Sequence, residues 1–146
     1  MFGFIVKYLG FLKFIPGLAQ LFDAWLAAWS SVSHPALLNW IDEIEAEVLK
    51  WPDVTATTHK YGGLQLNYGR YELGHIHSNG VVDMLLGRKL KKLLMISDTR
   101  IKDHHTFRNS GWISFYMRWE GDKEAVLKLF KIAYDTHLKQ MADVTR

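Results

Sequence analysis

Residues 71–77 read Tyr71-Glu72-Leu73-Gly74-His75-Ile76-His77, a stretch that predicts a β-strand carrying two imidazoles two residues apart. Successive side chains of a strand point to opposite faces of its sheet, so Tyr71, His75 and His77 are expected on one face. Glu72 is expected on the other face, unless an edge or a β-bulge interrupts the alternation. The stretch therefore predicts both a sheet and the face of that sheet on which chemistry is expected.

The sequence on both sides of this stretch extends the sheet. A period of two predicts further strands at residues 54–61, 64–68, 81–86 and 111–119. Connections typical of hairpins join the first four strands: Gly62-Gly63, Gly69-Arg70 and Ser78-Asn79-Gly80. The sheet is therefore expected to begin as an antiparallel meander.

Helical patterns flank the strands. A first helix is expected to begin at His34-Pro35, because proline is tolerated at the first helical position, and to end at Trp51-Pro52. A basic helix follows Gly87, and a last helix is expected from about Asp122, a candidate cap. The inward residues of the basic helix are predicted to be Leu90, Leu93 and Leu94. The fold class is thus α+β, with a mainly antiparallel sheet of about five strands covered by helices and a single domain at residues 34–146.

Composition excludes several classes of function. The chain of 146 residues has no cysteine, which rules out disulfides, thiolate catalysis and zinc–thiolate sites. Its formal charge is only +3, and the basic run Arg88-Lys89-Leu90-Lys91-Lys92 is interpreted as a solvated helix face. No nucleic-acid partner is therefore predicted.

Residues 1–33 form an apolar segment ahead of the domain. Lys13 and Pro16 interrupt the apolar run, so neither a signal peptide nor a membrane-spanning helix is predicted. Two short apolar helices hinged at Pro16-Gly17 are expected instead, with residues 1–29 docking on a membrane surface or a membrane-protein partner. The alternative is that they pack on the domain or on a second copy, which leaves a homo-oligomer open. The predicted location is the cytoplasm, or peripherally the cytoplasmic side of a membrane, which the basic run favours.

The second histidine pair, His104-His105, lies in the polar loop before the last strand. With that pair, the chain resembles the fungal-luciferase-like domain family, which includes oxygenases of bioluminescent fungi and short bacterial proteins of unknown activity. The similarity runs from about Trp51 to Tyr134, and it is greater to the bacterial branch. Tyr71 stands where the family usually has arginine directly before the glutamate. The positions that match the family pattern are Glu72, His75, His77, Asp83, His104, His105, Trp112 and Phe115.

The resemblance implies an oxygenase that needs no cofactor and acts on an aromatic, hydroxypyrone-like substrate. Such a substrate loses a proton, adds O2 and releases CO2 through a strained peroxide. On this hypothesis His75 or His77 is the base, and His104 or His105 stabilises the developing anion. The residues expected to bind the small apolar or aromatic ligand are Tyr71, Asp83, Trp112 and Phe115.

Two other interpretations of the histidines stay open. His75 and His77 are candidate ligands of a divalent metal ion, with a loop histidine or Asp83 completing the shell. Alternatively, the histidines only hold the sheet together. In that case the protein is a non-catalytic accessory subunit of a membrane-associated complex, docked through residues 1–29.

Overall fold

The computed structural model describes residues 34–144 and, ahead of them, the helical residues 18, 21, 24–26, 28 and 29. From residue 34 onward the helices are α1 (Pro35–Val48), α2 (Arg88–Ser97) and α3 (Gly121–Val144). The strands are β1 (Val54–Thr58), β2 (Leu64–Tyr68), β3 (Tyr71–Ile76), β4 (Val81–Leu85), β5 (Lys102–Asp103) and β6 (Trp112–Tyr116). Each predicted strand and helix of the domain is present, with ends shifted by a few residues.

The strands form one six-stranded sheet in the order β1-β2-β3-β4-β6-β5, and every pairing is antiparallel. The predicted α+β class and the opening meander are confirmed. The additional strand is β5, two residues within the predicted polar loop, which pairs through Lys102 with Ser114 of β6. A strand of two residues is too short to show a period of two, which is why the sequence pattern missed it.

One face of the sheet packs against α1 and α3 and forms the hydrophobic core. Pro35 opens α1, as predicted, and the helix buries one apolar face. The buried residues of α1 are Leu37, Ile41, Ile44 and Val48, and those of α3 include Val126, Leu129, Phe130 and Ala133. Ile76, Met84 and Phe115 meet these helices from the sheet. The polar side chains are thereby left to the opposite face.

A β-bulge in β3 changes which residues share that opposite face. Leu66 of β2 pairs with Gly74, whereas the next residue, Asn67, pairs with Glu72, so Leu73 is the extra residue. The extra residue reverses the alternation on its amino-terminal side. Glu72 therefore lies on the same face as His75, and Tyr71 lies on the other.

The prediction for the inner face of α2 is wrong at one position. Leu93 is 65% exposed, whereas Lys91 is buried. The Lys91 ammonium is tolerated because it donates to the carbonyl oxygens of Arg108 and Ser110 and lies 2.6 Å from an Asp103 carboxylate oxygen. Lys91 thus fastens the loop at residues 103–110 to α2.

The predicted helices hinged at Pro16-Gly17 and the docking role of residues 1–29 fall mainly outside the described residues. Where that segment is described it is helical, with Leu21, Trp25 and Trp29 largely exposed and the two indole rings stacked 6.3 Å apart. Within the described part of the chain, no helix combines the length and the apolar character needed to cross a bilayer. Membrane or partner docking stays a prediction.

Candidate functional site

Three imidazoles converge on one buried carboxylate at the polar face of the sheet. The distances from Asp83 Oδ2 to the histidine Nε2 atoms are 3.6 Å for His75, 3.9 Å for His77 and 3.7 Å for His104. We call these four residues the histidine cluster. All four residues were predicted from the sequence as site residues. In the fold His75 comes from β3, His77 from the turn after it, Asp83 from β4 and His104 from the loop before β6.

Strand register explains how Asp83 reaches the centre of the histidine cluster. Asp83 is directly opposite His75 on one side and opposite Ser114 on the other. Asp83 is 1% exposed, and its Oδ1 accepts a hydrogen bond from the Ser114 hydroxyl. Its Oδ2 has no hydrogen-bond partner among the described residues. A buried carboxylate oxygen without a partner is costly, so this atom marks a place where a positive charge or a proton donor is needed.

Glu72 orients His75. Its Oε1 lies 2.6 Å from Nδ1 of His75, a contact that the bulge at Leu73 makes possible. Burial is the largest single influence and raises the pKa of Glu72, but the hydrogen bond with His75 and the charge interactions with His75, His59 and Lys60 together outweigh it, so the pKa of this carboxyl falls below its ordinary value. An ionised Glu72 accepts a hydrogen bond from Nδ1–H, so the lone pair of a neutral His75 lies on Nε2, the nitrogen that faces Asp83.

His104 has the opposite tautomer. Its Nδ1 accepts hydrogen bonds from the backbone N–H groups of Thr106 and Phe107, both at 3.1 Å. A nitrogen that accepts carries no proton, so a neutral His104 holds its proton on Nε2. Burial lowers the pKa of His104 and favours this neutral form. Within the histidine cluster, His104 is therefore a hydrogen-bond donor, whereas His75 offers a lone pair.

His59 belongs to the surroundings of the site, and sequence reasoning missed it. Its ring stacks on that of His75 with the centroids 3.8 Å apart and the planes 7° from parallel. Burial, followed by the neighbouring His75, lowers the pKa of His59 to about 4. The sequence offers one sign of this: His59 comes two residues after Thr57, so it continues the alternating pattern just beyond the end of β1. Only the pairing of β1, β2 and β3 places its ring beside His75.

The aromatic residues predicted for the site divide between the two faces of the sheet. Trp112 lies at the histidine cluster, with its centroid 5.8 Å from that of His75 and 5.7 Å from that of His104. Phe107 was not predicted, yet it stacks on His104 at 5.0 Å and is 52% exposed. His105 stacks on His104 at 4.3 Å, and burial lowers its pKa. Trp112 and Phe107 thus flank the His104 ring and leave an aromatic edge open to solvent.

The expectation that Tyr71 and Phe115 line the same site is not met by the fold. Tyr71 stacks on His137 of α3 at 5.4 Å, because the bulge at Leu73 turns it away from His75. Phe115 alternates with Ser114 on β6, so it points into the core and is 1% exposed. Neither residue contributes to the polar face.

Two grooves in the surface lie apart from the histidine cluster. One, of 330 Å³, runs between α1 and the ends of β2 and β3, and the other, of 410 Å³, lies between α1 and α3. The first is lined partly by Asp42, Glu45 and Ser78, and none of the cluster histidines borders either groove. The chemistry-bearing groups are instead on the opposite side of the sheet.

The geometry allows two kinds of chemistry. Among the described residues, three overlapping groups bring possible metal-binding atoms together: His59 with Glu72 and His75, His75 with His77 and Asp83, and Asp83 with the His104-His105 pair. The same atoms also suit proton transfer, because one histidine offers a lone pair and another a proton.

Comparison with known proteins supports one family. Residues 70–133 match the family model described as Luciferase domain, and this range contains the whole histidine cluster. No curated protein and no solved structure matches the chain. The resemblance inferred from the sequence is confirmed for this segment, and with it the coarser functional statement, a luciferase-like domain with a fold suited to small-molecule binding.

Proposed function

We propose, on the premise that residues 70–133 form a luciferase-like domain, that the protein oxygenates a small, flat, acidic aromatic molecule of the hydroxypyrone class at the histidine cluster. The observation that carries the proposal concerns Asp83 Oδ2, which is buried, has no hydrogen-bond partner in the described part of the chain and faces three imidazole nitrogens. Groups arranged at this cost to stability are typical of functional sites.

The first requirement of such a reaction is a substrate anion, because an electron-rich anion reacts with O2 whereas the neutral hydroxyl compound does so poorly. The anion needs a hydrogen-bond donor that is fixed before it binds. His104 meets this requirement, since the two backbone N–H groups that bind its Nδ1 fix its proton on Nε2. His104 is thus the loop histidine proposed to stabilise the substrate anion, the role that the family resemblance implies for His104 or His105.

The second requirement is a surface for a flat ring. Trp112 and Phe107 flank His104, and Phe107 is half exposed. Aromatic rings stack favourably on such side chains, at about 0.5–1.5 kcal/mol beyond the area that they bury. A flat substrate stacked on either ring lies beside His104.

The third requirement is a positive charge beside the substrate anion. This charge is expected between His75 Nε2, the His77 ring and the Asp83 carboxylate. If His75 or His77 is the base, the charge is the proton that the histidine takes from the substrate hydroxyl. O2 is then the oxidant: new C–O bonds form to its atoms, the O–O bond of the peroxide and the C–C bond to the leaving carboxyl carbon break, and CO2 leaves. The proton taken from the substrate hydroxyl returns to an oxygen of the product. Substrate and O2 thereby balance product and CO2.

The test is oxygen uptake and CO2 release by the purified full chain with a hydroxypyrone, with and without added divalent metal. We expect uptake by the wild type and none by His75→Ala/His77→Ala. His137→Ala is the matched control, because this histidine lies against Tyr71 on the face of the sheet opposite the histidine cluster. Absence of uptake by folded wild type in both conditions would overturn the proposal.

A second proposal follows from the exposed Leu21, Trp25 and Trp29, which suit docking to a membrane or to a membrane protein as part of an accessory subunit. We expect the full chain to sediment with anionic vesicles and Trp25→Ala/Trp29→Ala to stay largely in solution. Equal sedimentation of both, or of neither, would contradict this role.

A further inference from the structure

We propose that His75, His77 and Asp83 bind one divalent first-row transition-metal ion, with Glu72 positioning His75. The inference deepens the proposed function. The expectation of a redox-active ion rests on that function, whereas the site itself rests on the geometry. The ion supplies the positive charge beside the substrate anion, in place of a proton.

The distances fit ligands that share one ion better than they fit hydrogen bonds. Asp83 Oδ2 lies 3.6 Å from His75 Nε2 and 3.9 Å from His77 Nε2, beyond hydrogen-bonding distance. Imidazole and carboxylate ligands bind such ions at about 2.0–2.2 Å, which places two ligands on one ion roughly 3.0–3.4 Å apart at angles of 90–110°. The candidate ligand atoms of the three residues all lie within 4.8 Å of one another, so the side chains need to move inward by only part of that distance to share an ion.

The protonation of His75 also suits a metal ligand. Its Nδ1 donates to Glu72 Oε1, so the lone pair is on Nε2, where the ion is proposed. Metal-binding histidines commonly donate their other N–H to a carboxylate in this way, which fixes the ring and raises its basicity. The bulge at Leu73 thus serves the site by bringing Glu72 beneath His75.

His104 is not a ligand in this arrangement, although it is as close to Asp83 as the others. Because its Nδ1 accepts two backbone hydrogen bonds, its Nε2 carries a proton and has no lone pair for an ion. The protein then supplies two histidines and one carboxylate, and other positions stay open for substrate and O2. Such a set with open positions is typical of non-haem Fe(II) oxygenases.

The group formed by His59, Glu72 and His75 is a weaker candidate. The rings of His59 and His75 are stacked nearly parallel, so their in-plane lone pairs do not converge on one point between them. Glu72 is already engaged by the Nδ1 proton of His75. His59 instead packs on the ring that it helps to hold in place.

The experiment is a titration of the metal-stripped full chain with Co²⁺, followed by visible absorption, and with Zn²⁺, followed by calorimetry. We expect one ion per chain, with affinity reduced at least tenfold in His77→Ala and in Asp83→Asn and unchanged in His137→Ala. Thermal unfolding without metal checks that each variant folds. If Asp83→Asn does not fold, His77→Ala decides, because the His77 side chain is more exposed than that of Asp83.

Two results would overturn the site: no stoichiometric binding by folded wild type, or equal affinity in wild type and His77→Ala. The first result is the one expected if only water or a protonated histidine fills the cluster. Oxygen uptake separates this outcome from failure of the proposed function. If the protein binds one ion but takes up no oxygen, the proposed function is wrong and the metal site stands. If metal-stripped protein takes up oxygen at the full rate in the presence of a chelator, the metal is not needed and the proposed function stands.

Discussion

Glu72 Oε1 lies 2.6 Å from His75 Nδ1 because Leu73 is the extra residue of a β-bulge between the two. Without the bulge the carboxylate would be on the side of the sheet that packs against α3 and the hydrophobic core, where burying its charge is costly. The bulge therefore sets the tautomer of His75 and, through it, the atom that faces Asp83. β-Bulges commonly re-aim side chains next to functional sites in this way.

We predict that Glu72→Gln weakens metal binding by about 10–100-fold, the usual effect of removing a carboxylate that orients a metal-binding histidine. The amide keeps the size of the side chain and its oxygen can still accept from Nδ1–H, but it lacks the negative charge that raises the basicity of the ring. Co²⁺ titration of the stripped variant measures the change. Wild-type affinity in Glu72→Gln would show that Glu72 does not position a ligand.

Asp83→Asn is expected to leave the metal-free protein at least as stable as wild type. The amide oxygen can still accept the hydrogen bond from Ser114. The amide nitrogen takes the place of Oδ2, the carboxylate oxygen that has no hydrogen-bond partner among the described residues. With metal at 100 times its dissociation constant, wild type should gain about 2.7 kcal/mol and the variant almost nothing.

Urea unfolding with and without Zn²⁺ tests this prediction for Asp83. A loss of more than about 2 kcal/mol in the metal-free variant would point to a structural role for the carboxylate. Ser114→Ala, which removes only the partner of Oδ1, is a useful comparison.

Gly74→Ala is expected to destabilise the domain by about 1–3 kcal/mol. A Cβ at this position would lie 2.6 Å from Met84 Cγ and 2.8 Å from the Asp83 carbonyl oxygen, so β3 and β4 would have to move apart. Gly121→Ala is the matched control, because no atom of the described residues lies within 4 Å of the added carbon. Equal unfolding free energies for the two variants would contradict the packing described for β3.

Lys91→Met is expected to loosen the loop that carries His104. The Lys91 ammonium holds the carbonyl oxygens of Arg108 and Ser110 and the Asp103 carboxylate, and leaving these acceptors without it costs about 1–3 kcal/mol. Hydrogen exchange at Thr106 and Phe107 should become faster. Lys92→Met, exposed on the same helix, should leave exchange unchanged, and faster exchange in both variants would remove the specific role of Lys91.

Much of the fold was predictable because its signals are local. Pro35 begins α1, the glycines at 62 and 63 mark a hairpin, and the period of two in residues 64–68 matches β2. The site was predictable only as a set of residue types. The bulge at Leu73 depends on the register with β2, and the burial of Lys91 depends on three acceptors from a distant loop.

His59 shows the same limit for the site. Its sequence neighbours give no sign that its ring stacks on His75, since that contact needs β1, β2 and β3 to pair in one register. The faces of Tyr71 and Phe115 were assigned from pattern and resemblance. One extra residue was enough to move Tyr71 to the far side of the sheet.

The most direct test is oxygen uptake with a hydroxypyrone by the stripped full chain before and after addition of one equivalent of Fe²⁺, with CO2 release measured in parallel. We predict uptake and CO2 release only after Fe²⁺ is added, and neither in His75→Ala/His77→Ala given the same iron, which also corrects for oxidation of free iron. Folded wild type that shows no uptake in either state, or a double variant as active as wild type, would contradict the assignment of oxygenase chemistry to the histidine cluster.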